Sequence, residues 1–507
     1  MSPRRDRLPL LLALLLALGP GCRRAPPGHP TSADLAVPYE VDSLDPHAAD
    51  RLSAFAILFN AYEALVDADA ELRLRPALAT RWECPDPLTW IFHLRPGVTF
   101  HDGKPLRAAD VVYSLERVRR SEELQVGNFA RDIASVDALD TLVVRVRTSV
   151  PSRVLLAKLR HVAIVPEGST AERLRLATDG TGPFAAAAWQ PGRDLRLLRH
   201  EAYWGRKPAL REVGIALGRG PEEAVEGLRG GRFQLVKCDS RSAALAVRFV
   251  AKARDSLFVK YLAFDLARDV TPGYREGRNP FRDVRVRRAV AMAIDRARLV
   301  SILGNDARVA TQPISRAVFG FDPDMPEPGV DPEGARRLLA EAGFPAGFGA
   351  TLHARPFAAT AAPAVRDDLA RVGIRAELRS VTDTEHFELL ARKQLTLWIT
   401  GIACGTGDAS ELFEDLIHTP GGAGRFGSLN DGGYSNPGLD AAIERSVAIE
   451  EPGLRLDAFR EILRQVMADQ VVVPLYTDRD VFALAPHLEW EPRADGEIRA
   501  ADITFAR

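Results

Sequence analysis

Apolar and polar positions follow two different rhythms along this chain. Through residues 34–110 the apolar stretches are short and broken by turn signals, so the region reads as short strands. Thr89–Leu94 (TWIFHL) alternates in part. Pro96-Gly97 and Asp102-Gly103 flank Val98-Thr99-Phe100-His101 with turn chemistry. Ala108–Arg119 (AADVVYSLERVR) spaces its apolar residues as a helix does, with Asp110 at the end where a helix dipole favours an acid. Residues 136–146 and 195–198 are further strand candidates. From about residue 266 the texture changes. Residues 284–302 predict one amphipathic helix, with Val286, Val290, Ala293, Ile294 and Leu299 on one side. A helix over 332–342 opens with proline at a permitted position and stops at Gly343. Next come a strand at 350–354, a helix at 364–372 ended by Gly373, and strands at 374–378 and 395–400. Helices follow at 439–449 and 454–469. The apolar run 471–476 (VVVPLY) contains Pro474, which assigns it to a sheet edge or a strand end. The alternation argues α/β packing over roughly 266–479, with a more strand-rich unit before it.

Composition narrows the function. The 507 residues carry 67 Lys+Arg against 68 Asp+Glu, a net charge of −1. That balance excludes a polybasic nucleic-acid binder working by counterion release. A chain of this length divides into two or three compact units rather than one core. The N-terminus decides the compartment. Arg4, Arg5 and Arg7 precede an apolar run over 8–18, then Gly19-Pro20-Gly21-Cys22. This is the layout of a secretory signal peptide, too short for a span of about 20 residues. Cys22 stands where a bacterial lipoprotein signal places its acylated cysteine, and Gly21 before it fits the lipobox. Gly19 departs from that motif, which prefers leucine there. The expectation is a signal peptide over 1–21, lipidation at Cys22, a Pro-rich tether over 22–33 and a periplasmic body held to the membrane by lipid alone. Cys84, Cys238 and Cys404 remain; at most one disulfide can form, and sequence does not say which.

Reactive motifs are missing. No G-x-x-x-x-G-K-[ST] loop, G-x-S-x-G elbow or H-E-x-x-H is present, and the ten histidines are scattered. Gly422, Gly424 and Gly427 match G-x-G-x-x-G by letter, but they follow no strand and open no helix, so the stretch reads as a loop. His101-Asp102 reads as a polar turn, and Glu385-His386 and His418 read as structural or solvated. A secreted, multi-unit α/β chain without a reactive centre or cofactor motif points to ligand binding, and clefts between units are the usual ligand sites.

Several blocks together resemble one family. The first comprises Leu44-Asp45-Pro46, Phe59-Asn60-Ala61-Tyr62-Glu63-Ala64-Leu65, Pro76-Ala77-Leu78-Ala79 and Trp82. Residues 90–103 (WIFHLRPGVTFHDG) follow, with Pro105, Ala108, Asp110 and Val111. Later blocks are Gly180-Thr181-Gly182-Pro183-Phe184, Trp189, Pro191-Gly192, Tyr203-Trp204, Tyr261-Leu262-Ala263-Phe264, Asp283-Val284-Arg285-Val286-Arg287, Ala293-Ile294-Asp295-Arg296, Ala342-Gly343-Phe344, Asn436-Pro437 and Val473-Pro474-Leu475. The body is similar to the extracytoplasmic solute-binding proteins of peptide and nickel ABC importers. The resemblance implies a two-lobed α/β periplasmic-binding-protein (Venus-flytrap) fold with an extra subdomain in lobe I. Lobe I would take 34–265 and 480–507, lobe II 266–479, with crossovers near 261–265 and 476–480 as the hinge. It also implies a monomer that binds a peptide, a nickel chelate or another small anionic solute and delivers it to a membrane permease or presents it to a sensor. Trp82, Trp90, Trp189 and Trp204 are expected to pack in the core or between lobes.

Two positions bear on the ligand. Arg355-Pro356-Phe357 resembles the run of dipeptide-binding members whose arginine pairs with the peptide carboxylate, a task suited to a guanidinium fork. The second departs from the family. Peptide binders commonly carry Gly-Trp-x-x-Asp-Tyr-x-Asp-Pro, whose first aspartate takes the α-ammonium. Here residues 401–409 read GIACGTGDA, so Gly405 fills the amine-anchoring place, Thr406 follows it and Asp408 keeps the only carboxylate. Either Asp408 substitutes as the ligand contact, with Gly405 and Thr406 beside it, or the ligand has no free amine there. The competing reading of Asp408 is a loop or capping residue ahead of the next helix.

Overall fold

The computed structural model describes residues 31–48, 52–121, 124, 126–272, 274, 277–304, 306–421 and 426–506. The signal peptide, Cys22, most of the tether, and Gly422 and Gly424 lie outside the described residues. Ser32 and Ala33, read above as the end of the tether, already belong to the strand Ser32–Ala36.

One large mixed sheet organises the body. Its order runs Ile374–Ser380, Phe348–Ala354, Leu397–Ala403, Val250–Phe264, Val473–Leu484, Leu235–Cys238, Ser32–Ala36, Glu212–Ala216, Asp194–Arg199, Phe184–Gln190. The first three strands are mutually parallel, and helices Ala362–Arg371 and Asp383–Ala391 supply the crossovers, as α/β packing requires. Val250–Phe264 and Val473–Leu484 are unusually long, 15 and 12 residues. They pair with each other through most of their length, with a register irregularity between Asp255 and Val259. Past that point Val473–Leu484 leaves Ala307–Val309 and pairs instead with Leu235–Cys238. The two long strands are therefore shared by both halves of the sheet.

A separate four-stranded antiparallel sheet, Ala79–Asp86, Thr89–Leu94, Val143–Thr148 and Ile133–Asp140, packs beside the half of the large sheet that holds Ser32–Ala36 and Glu212–Ala216. One apolar core gathers residues from 33 to 235 together with Phe482, Leu484, Trp490 and Ile503. Two more flank the half that holds Phe348–Ala354 and Leu397–Ala403, one around Phe281, Val290 and Phe348, the other around Phe413, Phe459 and Trp398. Trp90 is buried, and Trp82, Trp189 and Trp204 pack half-buried against the first core.

Local expectations fail where a polar side chain outbids periodicity. Residues 284–302 form two helices, Val284–Ala293 and Arg296–Ile302, because Asp295 accepts the backbone N–H of Arg298 at 2.9 Å and starts the second. Residues 136–146 are not one strand but a hairpin that turns at 141–142. The stretch 98–101 forms no strand, only one isolated bridge, Thr99 to Pro105, before a turn at His101. The strand-rich opening also contains the helix Leu52–Leu58. Pro474 is the second residue of its strand and sits at a register slip, which spares the ladder its missing N–H even though the strand is central. Among the described residues no helix is long and apolar enough to cross a membrane, and Cys84, Cys238 and Cys404 are free thiols.

Candidate functional site

Parallel strands deliver their C-terminal ends to one rim, and ligands of α/β sheets collect there. The register pairs Ala354 with Ser380 and Ala354 with Ile399. Arg355, the segment 381–383 and the end of Leu397–Ala403 consequently leave the sheet side by side. They border a cavity of about 830 Å³, the largest described. Its wall takes Tyr39, Lys237, Asp495 and Gly496 from one half of the molecule and Arg355, Asp383, His386, Phe387, Trp398, Asp431 and Tyr434 from the other. Phe258, Tyr261 and Phe264 of the long shared strand line it between them.

Arg355 stands at the centre of a charged and aromatic cluster. Its Nε donates to Asp383 Oδ1 at 2.7 Å, and the guanidinium lies 5.1 Å from the ring centres of both Phe357 and Phe387. Its two terminal nitrogens have no hydrogen-bond partner among the described residues. Pro356 supports the geometry by opening a short turn Pro356–Ala358 that closes on the Arg355 carbonyl. Behind this cluster, Lys260 is buried with Nζ 2.8 Å from Asp478 Oδ2 and 3.5 Å from the Phe258 ring centre. Burial lowers the Lys260 pKa, and repulsion from Arg355 adds to that. His386 is 1% exposed, its Nδ1 has no partner, and burial first, then Arg355, pull its pKa to about 4. The ring is neutral at pH 7.

The glycine-rich segment at 404–408 lies elsewhere. Asp408 is buried and clasped by Arg455, whose NH1 and NH2 reach its two oxygens at 2.6 and 3.0 Å. Arg455 in turn lies over the rings of Phe319 and Phe459. Thr406 gives both its backbone N–H and its hydroxyl to Glu411 Oε2, at 2.9 and 2.8 Å. The Gly405 carbonyl accepts from His161 Nε2 at 3.1 Å. None of the three is among the residues lining the cavity, whereas Gly401, Ile402 and Ala403 are. The structure thus brings Arg355 to the cavity and keeps Gly405, Thr406 and Asp408 in internal bonds.

The His161–Gly405 bond belongs to a second feature, a buried contact between the halves. Arg131 reaches Asp415 at 2.6 Å and Glu414 at 3.0 Å; Lys158 reaches Asp132 at 2.8 Å and Glu414 at 3.3 Å. Glu414 and Asp415 are presented by the five-residue π-turn Phe413–Ile417. His161, stacked on Phe129 at 4.5 Å, adds its bond to Gly405. Burial, then the charge of Arg160, lower the His161 pKa to about 3, so its neutral ring donates.

Asp383, His386, Lys260 and Asp431 were not legible as site residues. Asp383 lies 28 positions from Arg355 in sequence and meets it only through strand register. His386, read as structural or solvated, is buried and lies on the cavity wall. The one available signal was its placement just after a strand of the α/β half.

The comparisons with known proteins agree with this architecture. Residues 73–424 match the family model described as bacterial extracellular solute-binding proteins, family 5 Middle. The chain is 25% identical over 481 residues to the peptide transport periplasmic protein SapA of Salmonella typhimurium, covering 86% of this chain and 85% of that protein. It is also 25% identical over 471 residues to the glutathione-binding protein GsiB of Pectobacterium atrosepticum, covering 89% of each. The structure of the ABC transporter-associated periplasmic binding protein DppA of Helicobacter pylori, in complex with the peptide STSA, superposes with a TM-score of 0.81 at 19% identity, covering 94% of this chain and 98% of that one. The fold is therefore the two-lobed α/β fold of periplasmic binding proteins. The match over most of the body, with a cavity walled from both halves, makes this chain a member of family 5 of the bacterial extracellular solute-binding proteins.

Proposed function

We propose that this protein is the peptide-binding component of an ABC importer, tethered outside the cytoplasmic membrane through Cys22 and working as a monomer. Lobe I takes residues 34–265 and 480–507, and lobe II takes 266–479. The shared strands form the hinge, and the slip between Asp255 and Val259 supports a pivot there. The observation that carries the reading is Arg355: a guanidinium in the cavity wall with Nε committed to Asp383 and both terminal nitrogens free to grip a carboxylate. The three relatives named above are described by their peptide or glutathione ligands, and the cavity volume of about 830 Å³ suits a short peptide. Lobe closure selects for a solute that touches both walls, because only differential affinity shifts the balance between open and closed forms. The closed form then docks on a permease and releases the peptide unaltered.

The test is calorimetric titration with a panel of di- to pentapeptides, with nickel–histidine chelate as the competing class. At least one peptide binds the wild type and is recovered intact. Arg355→Ala weakens that peptide at least tenfold while the variant stays folded. Binding of the nickel chelate alone, or hydrolysis of the peptide, would overturn the reading.

A further inference from the structure

Among the described residues the cavity wall carries five carboxylates: Asp383, Asp431, Asp478, Asp480 and Asp495. Four of them face a cation of the protein. Arg355 serves Asp383, Lys260 serves Asp478, Lys237 serves Asp480, and Arg160 with Arg493 serve Asp495. Asp431 differs. Its side chain has no hydrogen bond or ion pair with any described residue, and it stands exposed on the cavity surface. Among the described residues of the wall, Asp431 is the one carboxylate without a cation of the protein as partner.

Its loop is held in place from both sides. Asn430 Nδ2 donates to the carbonyls of His418 and Tyr434, and its Oδ1 accepts the Tyr434 N–H. On the other side the Leu266 N–H donates to the Gly432 carbonyl at 2.8 Å. The backbone on either side of Asp431 is fixed, and its carboxylate is open to the cavity and to solvent. A partner from within would complete an internal pair, as it does at the other four positions. A second unpartnered polar group shares the wall: Nδ1 of His386, almost fully enclosed and beside Arg355. Donors at Arg355 and an unpaired acid at Asp431 thus face one cavity.

We propose that Asp431 is the acceptor for a cationic group of the bound solute, and that the cavity selects zwitterions, with the solute ammonium at Asp431 and its carboxylate at Arg355. This rests on the reading of the cavity as a peptide site and names the residue that replaces the carboxylate missing at Gly405. Among the described carboxylates of the wall, Asp431 is the one not already paired, so it is the counter-charge open to an ammonium bound here.

The experiment is a native mass-spectrometry competition on the full-length protein. A defined mixture of di- to pentapeptides is offered together with its N-acetylated and its C-amidated counterparts, to the wild type and to Asp431→Asn. Asp431 is exposed and its side chain makes no internal bond, so the isosteric variant folds, and thermal unfolding verifies it. The proposal expects N-acetylation to cost the wild type about tenfold to a hundredfold in affinity, the range for a charged hydrogen bond. It expects Asp431→Asn to lose a similar factor for free peptides and nothing further for acetylated ones. Equal retention of free and acetylated peptides by the wild type, or undiminished preference for free peptides in Asp431→Asn, overturns it while leaving the peptide reading intact. Failure of folded wild type to retain any peptide overturns both.

Discussion

Lys158 Nζ and Glu414 Oε2 lie 3.3 Å apart with both side chains at most 4% exposed, one from each half of the molecule. Asp132, Arg131 and Asp415 complete a cluster of alternating charge around them. Such a cluster is stable only while every charge keeps its partners, because removing one leaves the others desolvated and uncompensated. Glu414 serves both Lys158 and Arg131. Glu414→Gln should therefore lower the stability of the ligand-free protein by about 3 kcal/mol or more in denaturant titration. A loss below about 1 kcal/mol, the range of a solvated surface pair, would show that water reaches the cluster in solution.

Asp408 makes the opposite kind of prediction. Both its oxygens are held by Arg455 away from the cavity wall, so its role is internal. Asp408→Asn should cost about 3–5 kcal/mol of stability by stranding a buried guanidinium. Peptide affinity of the folded fraction should change less than about twofold, measured by calorimetry below the unfolding range. A tenfold loss of affinity with normal stability would place Asp408 at the ligand instead.

Glu63 ties three separated sequence blocks together, and its pH response can be worked out. Thr181 Oγ1, Tyr203 Oη and Trp204 Nε1 donate to its carboxylate at 2.8, 2.9 and 2.9 Å. Burial nevertheless dominates and pushes its pKa up to about 7 from 4.5, the donors pulling part of the way back. A raised folded pKa means that the native state holds the proton more tightly than the unfolded chain. The stabilisation is then fully present below about pH 4.5 and is lost as pH rises through about 7. The stability of wild type minus that of Glu63→Gln should fall by about 1.4 kcal/mol per pH unit across that window and stay flat outside it. The subtraction matters, because His47 and His161, with pKa values lowered by burial to about 4 and about 3, drive stability in the other direction between pH 4 and 6.5. A difference that does not vary with pH would mean that Glu63 stays ionised throughout.

The free thiols give a third kind of test. Cys404 is 1% exposed and burial raises its pKa well above the usual thiol range, whereas Cys84 is exposed. Iodoacetamide under native conditions should label Cys84 and spare Cys404, read by peptide mass mapping. Comparable labelling of the two would indicate opening of the Trp398–Phe413 core.

The fold was largely legible because its signals are local or carried by dense blocks. Gly180 and Gly182 show why such blocks are specific: a Cβ on Gly180 would fall 2.0 Å from the Ala61 carbonyl oxygen, and one on Gly182 2.5 Å from the Ala61 carbonyl carbon. The blocks at 59–65 and 180–184 are therefore two sides of one contact, fixed further by Thr181 and Glu63. Helix limits were legible where proline and glycine punctuate, as at Pro332 and Gly343. They were not legible at Asp295, where one capping carboxylate splits a continuous apolar stripe. The site was half legible. Arg355 stood out by its motif, but its partner Asp383 and the neighbouring His386 are set by parallel strand register, which periodicity does not encode. Asp431 carries no sequence signature at all. What distinguishes it is the absence of an internal partner, and that emerges only when the other four acids of the wall are seen paired.

The most direct measurement of the central claim is a crystal structure of the protein with the tightest-binding peptide of the panel. The account predicts one peptide enclosed between the two halves, its carboxylate within hydrogen-bond distance of the terminal nitrogens of Arg355. A peptide bound outside this cavity, or a cavity left vacant at saturating peptide, would contradict it.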